Sequence, residues 1–89
     1  MSRRNDLDIC AEILRVSRSG AKKTRIVYQA NLNFKIVEKY LDRLLRNDLL
    51  EQVEDRDFIT THKGVKFLEQ YKVLVAPIAR VEPFRGMML

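Results

Sequence analysis

The sequence predicts one small α+β domain that is mostly α-helical, on three observations. First, 89 residues with 46% hydrophobic content are enough for one core and too few for two. Second, apolar residues recur at helical spacing in four segments, and only two short stretches, between the third and fourth of these, read as a hairpin. Third, Asn, Ser and Thr residues that favour helix ends stand at the borders of these segments. We therefore expect four helices and one hairpin.

The segment from Asn33 to Asn47 has the clearest pattern of the chain. Asn33 favours an N-cap, and one side of the helix that follows is apolar and must be buried, with Phe34, Val37, Leu41, Leu44 and Leu45. The other side is mostly cationic, with Lys35, Lys39, Asp42, Arg43 and Arg46. Nothing in a core requires these charges. Such a helix can pack on a fold and present its outer face to a polyanion.

Two helices are expected upstream of this segment. The first covers Arg3–Ser19, with Asn5 or Asp6 as its cap and Gly20 as its left-handed end, and its apolar arc is wider than one packing face needs. Ala21–Lys23 is a short edge strand, and the second helix, Arg25–Ala30, has Thr24 as its cap. Asn31–Asn33 forms a tight turn into the next helix. Two helices joined in this way are a helix-turn-helix.

The second half of the chain predicts a hairpin and a fourth helix. Leu49–Val53 and Phe58–Thr60 are strands joined by an acidic turn, and Thr60 or Thr61 caps a helix from His62 to about Val75 that Pro77 stops. Its inward stripe is expected to hold Phe67, Leu68, Tyr71, Leu74 and Val75. The order of elements predicts a winged helix-turn-helix domain over residues 1–76, with an apolar tail over residues 77–89 that covers the domain or a dimer partner.

The distribution of charge indicates the class of partner. The net charge is +5, and residues 1–50 hold 11 basic and 6 acidic residues, whereas residues 51–89 hold 6 of each. The whole basic excess therefore lies in the half with the helix-turn-helix, which favours nucleic acid or another anionic surface.

Several function classes are excluded by composition. One cysteine and one histidine allow neither an internal disulfide nor a zinc site, and Cys10 is expected to be a buried structural thiol. No carboxylate pair, nucleophile–base set or glycine-rich loop indicates an enzyme, and we expect no cofactor and no metal. No apolar run reaches the ~18–20 residues of a membrane span. We expect a cytoplasmic protein associated with the chromosome.

Three segments also carry a family resemblance: Lys22-Lys23-Thr24, the turn Asn31–Phe34, and the pattern Ile-Thr-x-x-Lys-Gly at Ile59–Gly64. Together they resemble small archaeal winged-helix proteins, a group of DNA-binding regulators and chromosomal proteins, over roughly Asp6 to Tyr71. The resemblance implies that the helix after Asn33 enters the major groove, that the hairpin flanks the DNA backbone, and that the protein dimerises through its last helix. Two features depart from the family pattern: the wing tip is acidic, and Pro77 interrupts the last helix.

These patterns lead to one leading hypothesis and one alternative. The leading hypothesis is double-stranded DNA binding, as a regulator or architectural protein and as a homodimer formed by the first helix and the C-terminal chain. The candidate DNA-binding residues are Lys22, Lys23, Thr24, Arg25, Asn33, Lys35, Ile36, Lys39, Arg43, Arg46 and Arg56. Contacts to five to seven phosphates would give log K against log salt a slope of roughly −4 to −6. The alternative is a winged-helix module that binds another protein and does not contact DNA.

Overall fold

The computed structural model describes residues 5–54 and 57–84, the last ten of them by their backbone alone. The described elements follow the predicted order. They are α1 (Asp6–Val16), β1 (Ala21–Lys22), α2 (Lys23–Ala30), α3 (Phe34–Arg46), β2 (Leu50–Val53), β3 (Asp57–Thr60) and α4 (His62–Phe84).

The core lies where α1, α2 and α3 pack together over the small sheet. Ile13, Leu14 and Ile26 have no solvent exposure, and Val37 and Leu44 bring the apolar side of α3 into the same cluster. Ala30, about one turn after Ile26 in α2, is also fully buried. Because the apolar side of α3 is buried in this core, its other side faces outward.

The caps that define α3 are those expected from the sequence. The Asn33 side chain accepts a hydrogen bond of 2.8 Å from the backbone N–H of Ile36, which satisfies one of the free donors at the helix start. Asn31 ends α2 in the left-handed region, with φ 58°, and Asn47 is the C-cap of α3. The turn between α2 and α3 is therefore fixed by the three residues predicted to form it, Asn31–Asn33.

The predicted cap of α1 at Asn5 is confirmed, but the predicted range Arg3–Ser19 is too long. The helix begins at Asp6, because Asn5 and Asp8 form a reciprocal capping box, and it ends at Val16 with Ser17 as C-cap. Gly20 does adopt a positive φ, 97°, but it lies beyond the helix end, where the chain turns into β1. Leu7 is 53% exposed, so part of the wide apolar arc stays outside the core, as predicted.

The predicted cap of α2 is also wrong. The helix begins at Lys23 with Lys22 as its N-cap residue, and no side chain caps it. Thr24 is the second residue of the helix and is exposed. Because β1 pairs with β3 through Ala21 and Lys22, the chain leaves the sheet directly into the helix, and the start comes before Thr24.

The sheet has the order β1-β3-β2, and both pairings are antiparallel. Leu50 and Thr60 are opposite each other, as are Val53 and Asp57. The hairpin β2–β3 therefore matches the predicted one, while β1 adds a third, short strand on its other side. Phe58 in the central strand is 5% exposed and connects the hairpin to the core.

The start of α4 packs closely on the segment before β2. Thr61 is the residue that caps α4, since its hydroxyl oxygen accepts a hydrogen bond of 3.0 Å from the Gly64 N–H and also donates to the Asp48 carbonyl oxygen at 2.7 Å. A Cβ atom at Gly64 would overlap the backbone carbonyl oxygen of Leu49. The glycine of the Ile59–Gly64 pattern therefore allows a close approach of two backbones.

The end predicted for α4 is wrong. The helix continues through Pro77 to Phe84 and so crosses the predicted boundary at residue 76. Proline removes one hydrogen bond, but its fixed φ near −65° is compatible with a helix. Leu74, predicted to face inward, is 69% exposed. At 1.5 Å per residue, the 23 residues of α4 extend far beyond the 11 of α1, so the helix loses its packing partner.

Residues 85–89 of the predicted tail lie outside the described residues. None of the described helices is both long and apolar enough to cross a membrane.

Candidate nucleic-acid interface

The outer face of α3 carries three of the predicted DNA-contact residues close together. Lys35, Ile36 and Lys39 are all exposed, and with Glu38 and Asp42 they line a shallow depression of about 500 Å³. Ile36 is 38% exposed although it is apolar. Asn33 caps the same helix end and is also exposed. The first two turns of α3 and their cap therefore offer an amide, two ammonium groups, one carboxylate and the apolar side chains of Phe34 and Ile36 to solvent.

The start of α2 lies beside α3 across a larger groove. This groove has a volume of about 600 Å³ and is lined by Lys22, Lys23, Thr24, Glu38, Leu41, Asp42, Leu45, Gln52 and Phe58. The fold thus brings Lys22–Thr24 next to α3, as the predicted interface requires. Arg25 follows in α2 and is exposed.

Four of the predicted DNA-contact cations form ion pairs with carboxylates. Lys22 Nζ lies 3.0 Å from Asp57, Lys23 Nζ lies 2.8 Å from Glu38, Arg43 Nη1 lies 3.4 Å from Asp6, and Arg46 Nη2 lies 2.5 Å from Asp42. The paired side chains are between 36% and 73% exposed. Pairs as exposed as these contribute only about 0–1 kcal/mol each, so a phosphate can compete for the cations.

Three predicted cations differ from these four. Among the residues that the structure describes, Arg25, Lys35 and Lys39 form no ion pair. Lys35 and Lys39 are also four residues apart on one face of α3, where like charges repel by a few tenths of a kcal/mol. Their positive charge is therefore the most available on this surface.

Arg43 points toward α1 and forms part of a three-residue contact. The Tyr40 hydroxyl donates a hydrogen bond of 2.6 Å to Asp6 Oδ1, and the Arg43 guanidinium carbon lies 5.2 Å from the centroid of the Tyr40 ring. The hydrogen bond from Tyr40, followed by that from Arg43, lowers the pKa of Asp6. The same bond to Asp6 raises the pKa of Tyr40. Both shifts mean that a charged Asp6 carboxylate beside a neutral Tyr40 is the favoured state.

A comparison with protein families agrees with the order of helices and strands described above. The family model for the winged helix-turn-helix matches residues 3–76. The chain belongs to the winged helix-turn-helix family. In this family's terms, α2 and α3 are the helix-turn-helix and the β2–β3 hairpin is the wing.

Two relatives extend the comparison. An uncharacterized protein of Methanocaldococcus jannaschii is 34% identical over 65 residues, which are 72% of this chain and 66% of that protein. The crystal structure of Sso10a-2, a DNA-binding protein from Sulfolobus solfataricus, superposes with a TM-score of 0.77 and 25% identity, covering 90% of this chain and 87% of that one. The winged-helix resemblance inferred from the sequence, including its archaeal character, is confirmed.

The wing adds acidic groups to this surface. Glu54 is exposed at the end of β2, and Asp57 at the start of β3 is paired with Lys22. Arg56, the one predicted DNA contact of the wing, lies outside the described residues.

Two features of the site were not predicted from the sequence. Tyr28 is 83% exposed on α2, although an aromatic residue at helical spacing favours a core position. Its position two residues after the buried Ile26 places it on the opposite face, a signal that the sequence does contain. The contacts of Asp6 with Tyr40 and Arg43 join residues 34 and 37 positions apart, and no local pattern indicates them.

Other kinds of site have little support in the described part of the chain. No group of three or more His, Cys, Asp or Glu side chains comes together there in a way that could hold a metal ion. Cys10 is buried, and burial raises the pKa of its thiol. It therefore has the character of a structural residue, as predicted.

Proposed function

We propose that the protein binds double-stranded DNA, with the first two turns of α3 in the major groove and α2 against the sugar–phosphate backbone. The observation that carries this proposal is the exposed pair of Lys35 and Lys39, which have no ion-pair partner among the described residues and stand on the face of α3 opposite its buried stripe. The DNA binding of Sso10a-2, a structural neighbour, supports the same assignment.

The position of each side chain along α3 separates base contacts from backbone contacts. A helix of this kind meets base edges with its N-terminal turns and leaves the groove further on. Asn33, Lys35, Ile36 and Lys39 are therefore the candidates for base contact, and Arg46 is a candidate for phosphate contact. At the start of α2, the candidates for backbone contact are Lys22, Lys23, Thr24 and Arg25, because amide groups and positive charge at a helix start favour phosphate.

Replacing one residue of each kind tests whether the protein reads sequence. DNA fragments selected by the protein from a random pool would give a preferred site, and binding would be measured on this site and on unrelated duplexes. We expect Lys39→Gln to change the preference and Arg46→Gln to lower affinity equally on all sequences. Equal losses on every duplex for both variants would assign an architectural role, with contacts to the backbone alone.

The ion pairs favour a second candidate function. The wing is acidic, and four cations of this surface each face a carboxylate: Lys22, Lys23, Arg43 and Arg46. The folded surface is therefore less positive than a count of charges along the sequence indicates. Such a mixed surface also suits a protein partner. Titration of the protein into labelled duplex at ~50 mM salt separates the two: no saturable binding would favour the protein partner.

We also propose that the protein forms a homodimer through α1 and the C-terminal half of α4. Val73 and Leu74 are 71% and 69% exposed on α4, and Leu7 is 53% exposed on α1. Exposed apolar side chains are stabilised when a partner covers them. A two-fold pair would bring two α3 helices to half-sites about one DNA turn, ~34 Å, apart.

Light scattering on two chains tests the dimer. The full chain is expected to have twice the monomer mass at micromolar concentration, and a chain that ends at Ala76 is expected to be a monomer. A monomeric full chain would refute the dimer, and a dimer that persists in the shorter chain would locate the interface before residue 77.

A further inference from the structure

Arg43 differs from Arg46, the other paired cation of α3 among the described residues, because its partner belongs to another helix and accepts two hydrogen bonds. Asp6, in the first turn of α1, accepts from the Tyr40 hydroxyl through Oδ1 at 2.6 Å and from Arg43 Nη1 through Oδ2 at 3.4 Å. Both oxygens of one carboxylate are therefore engaged by α3. By contrast, the partner of Arg46 is Asp42 on α3 itself, one turn away.

Two surrounding contacts give this cluster a defined geometry. Tyr40 is only 9% exposed, so its ring is held by the core and its hydroxyl has a fixed direction. On the other side, the capping box of Asn5 and Asp8 fixes the backbone of the turn that carries Asp6. The Arg43 guanidinium lies over the Tyr40 ring, 5.2 Å from its centroid, which is within the range of a cation–π contact. The cluster thus connects a rigid helix start to the middle of α3.

We propose that Asp6, Tyr40 and Arg43 position α3 against α1 for DNA binding, and that Arg43 acts through this cluster and not through a phosphate. The inference rests on the proposed function, because it assigns roles within the same interface. A binding group must be held within about 0.5 Å and 10–20° of its productive geometry. Lys35 and Lys39 stand on the same rigid helix, so a small rotation of α3 moves both away from base edges.

The salt dependence of binding distinguishes a positioning residue from a phosphate contact. Asp6→Ala and Arg43→Gln are each expected to weaken binding to a preferred duplex by about threefold to tenfold, within the range for residues of one coupled network. The slope of log K against log salt should stay that of the wild type. Arg25→Gln, which removes a cation assigned to the backbone that forms no ion pair among the described residues, should instead make the slope shallower by about 0.9.

Two further variants test the connection between the residues. Arg43→Lys keeps the charge but loses the planar group that reaches Asp6 and stacks on Tyr40, so it should weaken binding as much as Arg43→Gln. The double variant Asp6→Ala/Arg43→Gln should bind at most about twofold more weakly than the more damaging single variant, because both changes break one cluster.

Glu12→Ala is the matched control for Asp6→Ala. It also removes a carboxylate from α1, but Glu12 pairs with Arg15 of the same helix and takes no part in the capping box. All variants would be compared well below their melting temperatures, so that each is fully folded. We expect Glu12→Ala to leave the affinity and the salt slope nearly unchanged.

The outcomes separate the two proposals. Tighter binding by Asp6→Ala would mean that Asp6 withholds Arg43 from DNA, and a shallower slope for Arg43→Gln would mean that Arg43 meets a phosphate; either result overturns the inference alone. An equal loss of affinity in Glu12→Ala would also overturn it, since the loss of any carboxylate from α1 would then have the same effect. A wild-type protein that binds no duplex at low salt would overturn the proposed function and the inference together.

Discussion

The ion pair between Lys23 and Glu38 leads to a prediction whose sign depends on the proposed interface. Lys23 Nζ lies 2.8 Å from Glu38 Oε2, and the two side chains are 37% and 55% exposed. They stand in the groove between α2 and α3, where a DNA phosphate would approach. DNA binding must either separate this pair or bring a phosphate close to the carboxylate. Glu38→Gln removes both costs and keeps the length and helix propensity of the side chain.

The structure sets the size of the expected effect. If each cation neutralises one phosphate, also where it reaches a base edge, binding through Arg25, Lys35 and Lys39 alone would give a salt slope of about −2.7, at about −0.9 for each cation. Six contacts, with Lys22, Lys23 and Arg46 released from their carboxylates, would give about −5.4. Glu38→Gln releases Lys23, so we expect a slope steeper by up to about 0.9. An exposed pair is worth at most about 1 kcal/mol, which corresponds to an affinity about twofold to fivefold higher.

Fluorescence anisotropy of a labelled duplex at several salt concentrations measures both quantities. Glu69→Gln is the matched control, because Glu69 is exposed on α4 and its replacement changes the net charge by the same amount. We expect the control to raise affinity much less than Glu38→Gln and to leave the slope unchanged. Weaker binding by Glu38→Gln, or an equal effect of both variants, would refute the reasoning that places this pair at the DNA surface.

Three further predictions concern stability and use thermal or denaturant unfolding. Gly64→Ala should destabilise the domain by about 1–3 kcal/mol, because the added Cβ overlaps backbone; a neutral result would mean that α4 can shift at no cost. The Ser17 hydroxyl is buried without a hydrogen-bond partner among the described residues, so Ser17→Ala should be neutral or stabilise by about 1 kcal/mol. Its control is Thr60→Val, which loses a buried hydrogen bond of 2.6 Å and should cost about 1–2 kcal/mol; the opposite order would show that Ser17 has a partner in solution. The hydrogen bond to Asp8 raises the pKa of Tyr71 to about 12, above its ordinary value near 10. The contribution of this hydrogen bond to folding stability is complete below pH 10 and is lost as the pH rises toward 12. Tyr71→Phe should therefore remove that part of the fall in stability at high pH. An unchanged pH profile would argue against the bond.

The pattern of α3 could be predicted because it depends on local spacing. Val37, Leu41 and Leu44 are buried at the expected intervals, and Asn33 caps the helix through a hydrogen bond to a residue three positions away. Phe34 is the exception, since it is 49% exposed. It is the first residue of the helix and lies at the edge of a stripe that is covered only from Val37 onward, and a periodic pattern does not show where a covering surface ends.

The errors at α2 and α4 have a different physical origin. Thr24 is a good N-cap by type, but the helix starts where β1 leaves the sheet, so strand pairing outweighs local preference. Pro77 is a poor residue inside a helix, but its cost is one hydrogen bond and a local clash. Four turns of helix precede it, and nucleation, the costly step, is already complete. A rule about one residue predicts badly when neighbouring structure sets the outcome.

The candidate site shows the same limit for electrostatics. The segment from Arg15 to Arg46 holds nine cations and two anions, which describes a strongly positive surface. In the folded protein, Glu12, Asp57 and Asp6, all from outside this segment, pair with Arg15, Lys22 and Arg43. Their positions depend on how α1, the sheet and α3 pack, so a count along the chain overstates the charge that a partner meets.

The exposure of these pairs determines how they affect binding. A buried pair would remove its cation from the surface permanently, because separating desolvated charges is costly. The pairs of Lys22, Lys23 and Arg46 are at least one-third exposed, so each is weak enough for a phosphate to replace the carboxylate at little cost. Of the four predicted DNA-contact cations that are paired, only Arg43 shares its carboxylate with a buried group, the Tyr40 hydroxyl. A carboxylate paired with a basic side chain is therefore expected to have opposite effects at two positions. Glu38 opposes DNA binding, and Asp6 supports binding by holding α3 in place.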